Sequence, residues 1–256
     1  MRGRFSFSLD EIPEDIYSSR SSLTTMAHRL KNQDYLFSPY KKFYTIITPQ
    51  YKKVCSIPVL LYIDDLMKHI GVPYYVSFLS ATNLHCTDKH PSQTLHIITT
   101  KSLPSISRDS IQISFSRKKK INDSLLKQIE VPTGYFNISS PALTAFDLVK
   151  YIATSGSLNQ IAATILRLAA RITELDLRDV LIEEGGGTST AQRLGYLLEL
   201  FGYEELANVI ERWLKNKNTV YIVMMPYVVT EIKRKTKPLA FLNKNTRWKV
   251  ITPIMD

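Results

Sequence analysis

Residues capable of covalent or metal chemistry are few in this chain and poorly spaced for it. Neither Cys55 nor Cys86, and no serine, sits in a recognisable elbow such as Gly-x-Ser-x-Gly, which exposes a nucleophile on a strand-to-helix turn. His85, Cys86, His90 and His96 are close in sequence, but their spacing matches none of the paired-ligand patterns of a zinc site. The run Gly185-Gly186-Gly187-Thr188-Ser189 lacks the Gly-Lys-Ser/Thr ending and the preceding strand of a phosphate loop, so it reads as a hinge between helices. Asp64 and Asp65 are neighbours on a predicted helix, about 100° apart, and do not converge on one cation. They read as surface charge. Glu231-Ile232-Lys233 has the Glu-x-Lys form of a nuclease strand, yet residues 212–230 supply no second carboxylate to share a Mg²⁺ ion with it. No metal and no cofactor are expected.

Charge is the stronger signal. With 33 Lys+Arg against 23 Asp+Glu, the net charge of +10 favours a polyanionic partner. Its distribution is uneven: residues 51–120 and 216–256 carry +6 each, whereas residues 151–215 carry −3. The basic residues concentrate in Arg117-Lys118-Lys119-Lys120 and in Lys233-Arg234-Lys235 with Lys237. Each cluster reads either as a phosphate contact or as a solvated turn.

The elements that would present such charge begin in the first fifty residues. Ser8 and Glu11 form a capping box for a short helix at Leu9-Asp10-Glu11-Ile12, which breaks at Tyr17-Ser18. From Ser19 to Lys31, Leu23, Met26, Ala27 and Leu30 recur at spacings of three and four, one face of a helix. The other face carries Arg20, Ser21, Thr24, Thr25, His28 and Arg29, small polar and basic groups suited to base edges and phosphates. Two strand-like runs follow, Tyr35-Leu36-Phe37 and Phe43 to Ile47, joined by a turn with Lys41 and Lys42 at its tip. Helix, turn, helix, hairpin is the order of a winged helix-turn-helix, with the lysines where a phosphate backbone passes. A small scaffold for protein contacts has the same pattern. Two helices are one fewer than the usual three, so either the chain begins earlier or a later element substitutes.

Residues 51–256 read as a mixed α/β domain with a helical segment, making the whole an α+β protein of two domains, 1–50 and 51–256. Val59 to Ile70 and Tyr74 to His85 have helical character, and Gln93 to Thr99 and Ile111 to Phe115 alternate as strands. A hairpin is predicted over Glu130 to Ile138, broken at Pro132-Thr133-Gly134. Ser140-Pro141 opens a helix over Ala142 to Ile152. Four more follow at Leu158 to Ala170, Leu175 to Ile182, Ala191 to Phe201 and Tyr203 to Leu214, with Leu166, Leu194, Leu197, Leu198 and Leu206 as core and Glu183, Glu184, Glu204 and Glu205 exposed. Val220 to Met224 and Trp248 to Ile254 return to strand.

At 256 residues, 44% hydrophobic and 22% charged, the chain is long enough to bury a core and is neither collagen-like nor disordered. Its apolar runs are far short of the ~20 residues a bilayer span needs. With no apolar signal segment and two cysteines, a cytoplasmic protein with free thiols and no membrane contact is expected.

Several strings together resemble the AbiEi family of antitoxins from bacterial abortive-infection systems. They are Arg29-Leu30, Tyr40 to Pro49, Tyr74 to His85, Pro141 to Val149, Gln192 to Glu199 and Arg247 to Ile251. The resemblance covers nearly the whole chain in order. It implies a winged helix joined to an antitoxin domain, a protein that represses its own operon by binding inverted repeats in double-stranded DNA. It further implies a type IV toxin-antitoxin system, in which a nucleotidyltransferase-like toxin is countered without a stable complex and without catalysis. In the family the wing usually carries Arg-Gly before its Phe-Tyr. Lys41-Lys42 stands there instead, which is expected to keep the charge and remove a position with φ > 0. The alternative from another class is a nucleic-acid-processing enzyme, nuclease or nucleotidyltransferase-like, with a basic substrate surface.

Overall fold

The computed structural model describes residues 3–16, 19–52, 56–86, 94–108, 111–153, 156–184, 187–225 and 242–253. Among them are eight α-helices and twelve strands in three sheets, an α+β protein. The chain divides into two compact units. One comprises Met1–Val76, Ser92–Ile121 and Lys127–Ile138; the other comprises Ser77–Pro91, Asn122–Leu126 and Ser139–Asp256.

The first unit opens with β1 (Ser6–Ser8), two 3-10 turns, α1 (Arg20–Asn32), β2 (Leu36–Tyr40) and β3 (Phe43–Ile46). The strands form an antiparallel sheet in the order β1-β3-β2. Ser8 and Glu11 make the expected capping box, on a 3-10 turn of Leu9–Glu11, and Ser19 caps α1 by accepting from the Ser22 N–H. Alternation along β3 gives the sheet two working faces. On one, Leu36 joins Leu9, Leu23 and Ala27 in a cluster, against which Phe7 and Tyr44 pack, stacked with ring centroids 5.8 Å apart. On the other, Phe43 is buried against the rings of Tyr62 and His69, and the Ser6 hydroxyl donates to Asp65 at 2.6 Å. Asp65 and His69 belong to α2 (Ile63–Ile70), so a later helix covers that face. For this reason the compact unit containing the first fifty residues runs on past residue 50.

Next in the chain is β4 (Tyr74–Val76), followed by β5 (Thr94–Thr99), β6 (Ile106–Arg108), β7 (Ile111–Arg117), β8 (Leu126–Val131) and β9 (Gly134–Ser139). These make one mixed sheet in the order β6-β7-β5-β4-β9-β8. Strands β5 and β7 run parallel over Thr94–Thr99 and Gln112–Arg117, and β4 pairs antiparallel with β5. The predicted hairpin is β8–β9, turning at Pro132-Thr133, with Gly134 at φ +151, a conformation open to glycine.

The second unit is helical: α3 (Phe78–Cys86), α4 (Pro141–Lys150), α5 (Leu158–Ala169), α6 (Glu174–Glu183), α7 (Thr188–Leu200) and α8 (Glu204–Leu214). A small sheet in the order β10-β12-β11 joins it, from β10 (Ile222–Val223), β11 (Leu242–Asn245) and β12 (Val250–Pro253). Helix α4 starts at Pro141 with Ser140 as cap, as its sequence requires, and every residue from Pro141 to Val149 is buried. It contacts α3, α5, α6 and α7. A helix buried all round has to be enclosed, and each fully buried Leu or Phe on it contributes roughly 1.5–3 kcal/mol.

Four sequence expectations are corrected. Tyr74 to His85 is not one helix: Tyr74, Tyr75 and Val76 pair with Thr99, Ile98 and Ile97, because β-forming residues gain more from the ladder, and the helix begins at Phe78, held at φ +53. Leu166 is exposed, lying on the outer side of the Ile161, Ile165 and Leu168 stripe. The Glu184 carboxylate is buried in an ion pair with Lys150 at 2.8 Å. Asp64 and Asp65 are partly buried tethers: Asp64 accepts from the Tyr74 hydroxyl at 3.0 Å and pairs with Lys68, and Asp65 takes Ser6.

Candidate nucleic-acid interface

Helix α1 buries Leu23 and Ala27, which lie about 40° apart around its axis. That orientation leaves Ser21, Thr24, Thr25, His28 and Arg29 exposed to solvent. Thr24 and Thr25 turn their hydroxyls back onto the carbonyls of Arg20 and Ser21, and His28 is bonded to Asn32 at 3.3 Å. Arg29 has no ion-pair partner among the described residues, so its guanidinium is available to an incoming acceptor.

The β2–β3 turn is held at its backbone. The Lys41 carbonyl accepts from His69 Nε2 at 3.0 Å, and the Lys42 carbonyl accepts from the Leu9 N–H at 3.0 Å. Lys42 sits at φ +61. The expected loss of a positive-φ position is therefore corrected: the turn keeps that geometry, and a lysine adopts it because both flanking carbonyls are tied. Both lysines point their charge to the surface, and Lys42 Nζ lies 3.5 Å from Asp10. The same Asp10 oxygen is 3.3 Å from Arg20 Nη1, which also donates to the Leu9 carbonyl at 3.1 Å. One carboxylate thus gathers two of the predicted cations, a contact between residues 32 positions apart that sequence reasoning missed.

At the end of β7 the basic run divides. Arg117, Lys119 and Lys120 are exposed. Lys118 points inward, 6% exposed, donating to the Tyr75 hydroxyl at 3.1 Å and lying over that ring. Strand alternation sends it to the opposite side from its neighbours, so it is removed from the set of phosphate contacts. Arg234 and Lys235, with Glu231, Lys233 and Lys237, lie outside the described residues.

The other candidate chemistry disperses. His85 donates to the Ser139 carbonyl at 2.7 Å, the Cys86 thiol faces the Arg167 carbonyl, and burial pushes the His96 imidazole below its ordinary pKa. His90, Cys55, Gly185 and Gly186 lie outside the described residues, among which no group of three or more potential ligands is placed for a metal. No described helix is long and apolar enough to cross a membrane.

Four of the strings that carried the resemblance meet in pairs through residues of the second unit. Ser77 donates to Asp147 at 3.3 Å, tying α3 to α4, and Ser139 shares a 2.6 Å hydrogen bond with Thr144. Burial and the Asp147 and Glu184 charges push the Tyr151 hydroxyl up to about 12. Gln192 of α7 donates to the carbonyls of Val220 and Trp248, and Arg193 to that of Val223. Trp248 Nε1 donates to Glu199 at 2.7 Å, while Arg247 stacks on Trp248 and bonds Glu199, Asn208 and Glu211. These contacts hold the helices and the small sheet of the second unit together.

The class so defined is an α+β protein with a polar and basic N-terminal helix-and-hairpin face and a hydrogen-bonded network joining the elements of its helical unit. Residues 75–200 match the model of the AbiEi antitoxin C-terminal domain. Its fold is similar to the crystal structure of the RV2827C protein from Mycobacterium tuberculosis, 14% identical, with 91% of this chain and 80% of that chain covered and a TM-score of 0.62. An antigenic nucleotidyltransferase-like protein from Paracoccidioides brasiliensis, 8% identical, aligns over 52% of this chain and 89% of its own with a TM-score of 0.34. No curated protein matches the sequence.

Proposed function

We propose that the protein is a cytoplasmic, non-enzymatic antitoxin that represses its own operon by binding inverted repeats in double-stranded DNA. In this reading, the first fifty residues act as a winged helix-turn-helix. The remainder counters a nucleotidyltransferase-like toxin of a type IV system without forming a stable complex. The observation that carries it is the exposed polar face of α1 beside a two-lysine hairpin turn, on a sheet ordered β1-β3-β2. In a winged helix the helix preceding the hairpin enters the major groove and the hairpin passes a phosphate backbone. Ser21, Thr24, Thr25, His28 and Arg29 are the base-edge and phosphate contacts of α1. Arg20, Lys41 and Lys42 supply positive charge at its flank, and Arg117, Lys119 and Lys120 extend the backbone footprint.

The test uses the full chain. Wild type and a Thr25→Ala/Arg29→Ala variant are compared for repression of a reporter behind their own promoter, and for growth rescue when the adjacent toxin frame is expressed from an independent promoter. Repression lost with rescue kept is the expected result. Retained repression by the folded variant overturns the assignment of α1, and lost rescue overturns the separation of the two activities.

A further inference from the structure

We infer that Asp10 is an internal stand-in for phosphate that restrains the DNA affinity of the N-terminal face. The inference rests on the winged-helix reading above and assigns a regulatory contact within it. One Asp10 carboxylate oxygen is 3.3 Å from Arg20 Nη1 and 3.5 Å from Lys42 Nζ. Two cations that converge on a single oxygen form a cradle that a phosphate oxygen fits equally well.

The cradle is fixed from behind. The Leu9 carbonyl holds Arg20 at 3.1 Å, and the Leu9 N–H holds the Lys42 carbonyl at 3.0 Å, so residue 9 bridges the helix start and the hairpin turn that supply the two charges. Asp10 is itself positioned by its N–H, which donates to the Ser8 hydroxyl at 3.3 Å within the capping box. All three charged side chains are about half exposed, so the carboxylate can leave when a stronger anion arrives. Until it does, Asp10 offsets part of the charge of Arg20 and Lys42, which then displace fewer counterions from the duplex. This lowers their part in sequence-independent binding, which depends on counterion release. Base contacts from Thr25 and Arg29 are untouched. Asp10 therefore suppresses binding to arbitrary duplex more than binding to the operator.

Asp10→Asn is the discriminating variant, since it retains size and the backbone N–H bond to Ser8 while removing the charge. Binding of the full chain to an operator duplex and to a random duplex of equal length is measured across a salt series, with thermal unfolding alongside. The expected result is roughly fivefold tighter binding to random duplex at low salt, the effect of one unit charge a few ångströms from phosphate. A salt slope steeper by about one is expected with it, and a smaller gain on the operator. Unchanged or weaker binding by a variant that unfolds at the wild-type temperature overturns the inference. Asp10→Asn/Lys42→Gln is the second variant: it should return random-duplex affinity toward wild type, and a gain that persists in it also overturns the role given to Asp10. If wild type binds no duplex at low salt, the winged-helix reading fails and the inference with it, an outcome distinct from wild-type binding that Asp10→Asn leaves unaltered.

Discussion

Gly195 of α7 and the indole of Trp248 occupy touching positions: a Cβ at residue 195 would lie 2.6 Å from Cε3 and nearer still to Cζ3 and Cη2. Trp248 is 1% exposed and among the largest fully buried side chains of the described residues. The contact fastens the C-terminal strand segment to the helical unit.

Gly195→Ala should destabilise the protein, although alanine in an open helix is worth about 1 kcal/mol over glycine. The ring cannot move away because Glu199 holds its Nε1 and Gln192 holds its carbonyl. Overpacking of this kind costs about 1–3 kcal/mol, read as a lowered urea midpoint with an unchanged slope. A midpoint at or above that of wild type would show that the ring yields.

Arg247→Ala should destabilise at neutral pH and lose that effect in acid. Hydrogen bonding to Arg247 holds the Glu211 carboxyl below its ordinary value of 4.5. A group depressed in the folded state contributes stability that is present above the unfolded value, and is lost as pH falls through the folded one. Unfolding measured at pH 7 and near pH 3 should show the gap between wild type and variant narrowing. A gap of equal size at both would assign the effect to the stacking of Arg247 on Trp248.

Within the basic run of residues 117–120, substitutions should separate by burial. Lys118→Gln should lower stability by leaving the Tyr75 hydroxyl and its pocket imperfectly filled, with little change in the salt dependence of DNA binding. Lys119→Gln/Lys120→Gln should leave the unfolding midpoint alone and reduce duplex affinity mainly at low ionic strength, the salt slope falling by about one for each phosphate no longer neutralised. Equal affinity at low salt would make Lys119 and Lys120 a solvated turn.

Ser77→Ala should cost about 1–3 kcal/mol, because it removes a donor to a carboxylate that is wholly buried. Thermal unfolding of Ser77→Ala and of Asp147→Asn distinguishes the roles. The amide can accept the same hydrogen bond, so a far larger loss in Asp147→Asn would mean that the charge itself is needed there.

Local signals were legible wherever the relevant partner lies within one turn of chain. Ser8 and Ser140 cap the helices they precede, Pro132-Thr133-Gly134 turns the hairpin, and Leu194, Leu197 and Leu198 fall on the buried side of α7, because caps and periodicity are set by residues up to four apart. The strings of the family resemblance were legible as strings, but not as the contacts Ser77–Asp147 and Gln192–Trp248, 70 and 56 positions apart. Tertiary structure decided which members of a basic run are surface and which are core, since Lys118 is buried by a tyrosine 43 residues earlier. It also decided that Lys42 keeps a left-handed backbone and shares Asp10 with Arg20. Composition and spacing fixed how much charge the N-terminal face carries; only the closing of the sheet, through Leu9 and His69 on the turn carbonyls, set where that charge points and what neutralises it.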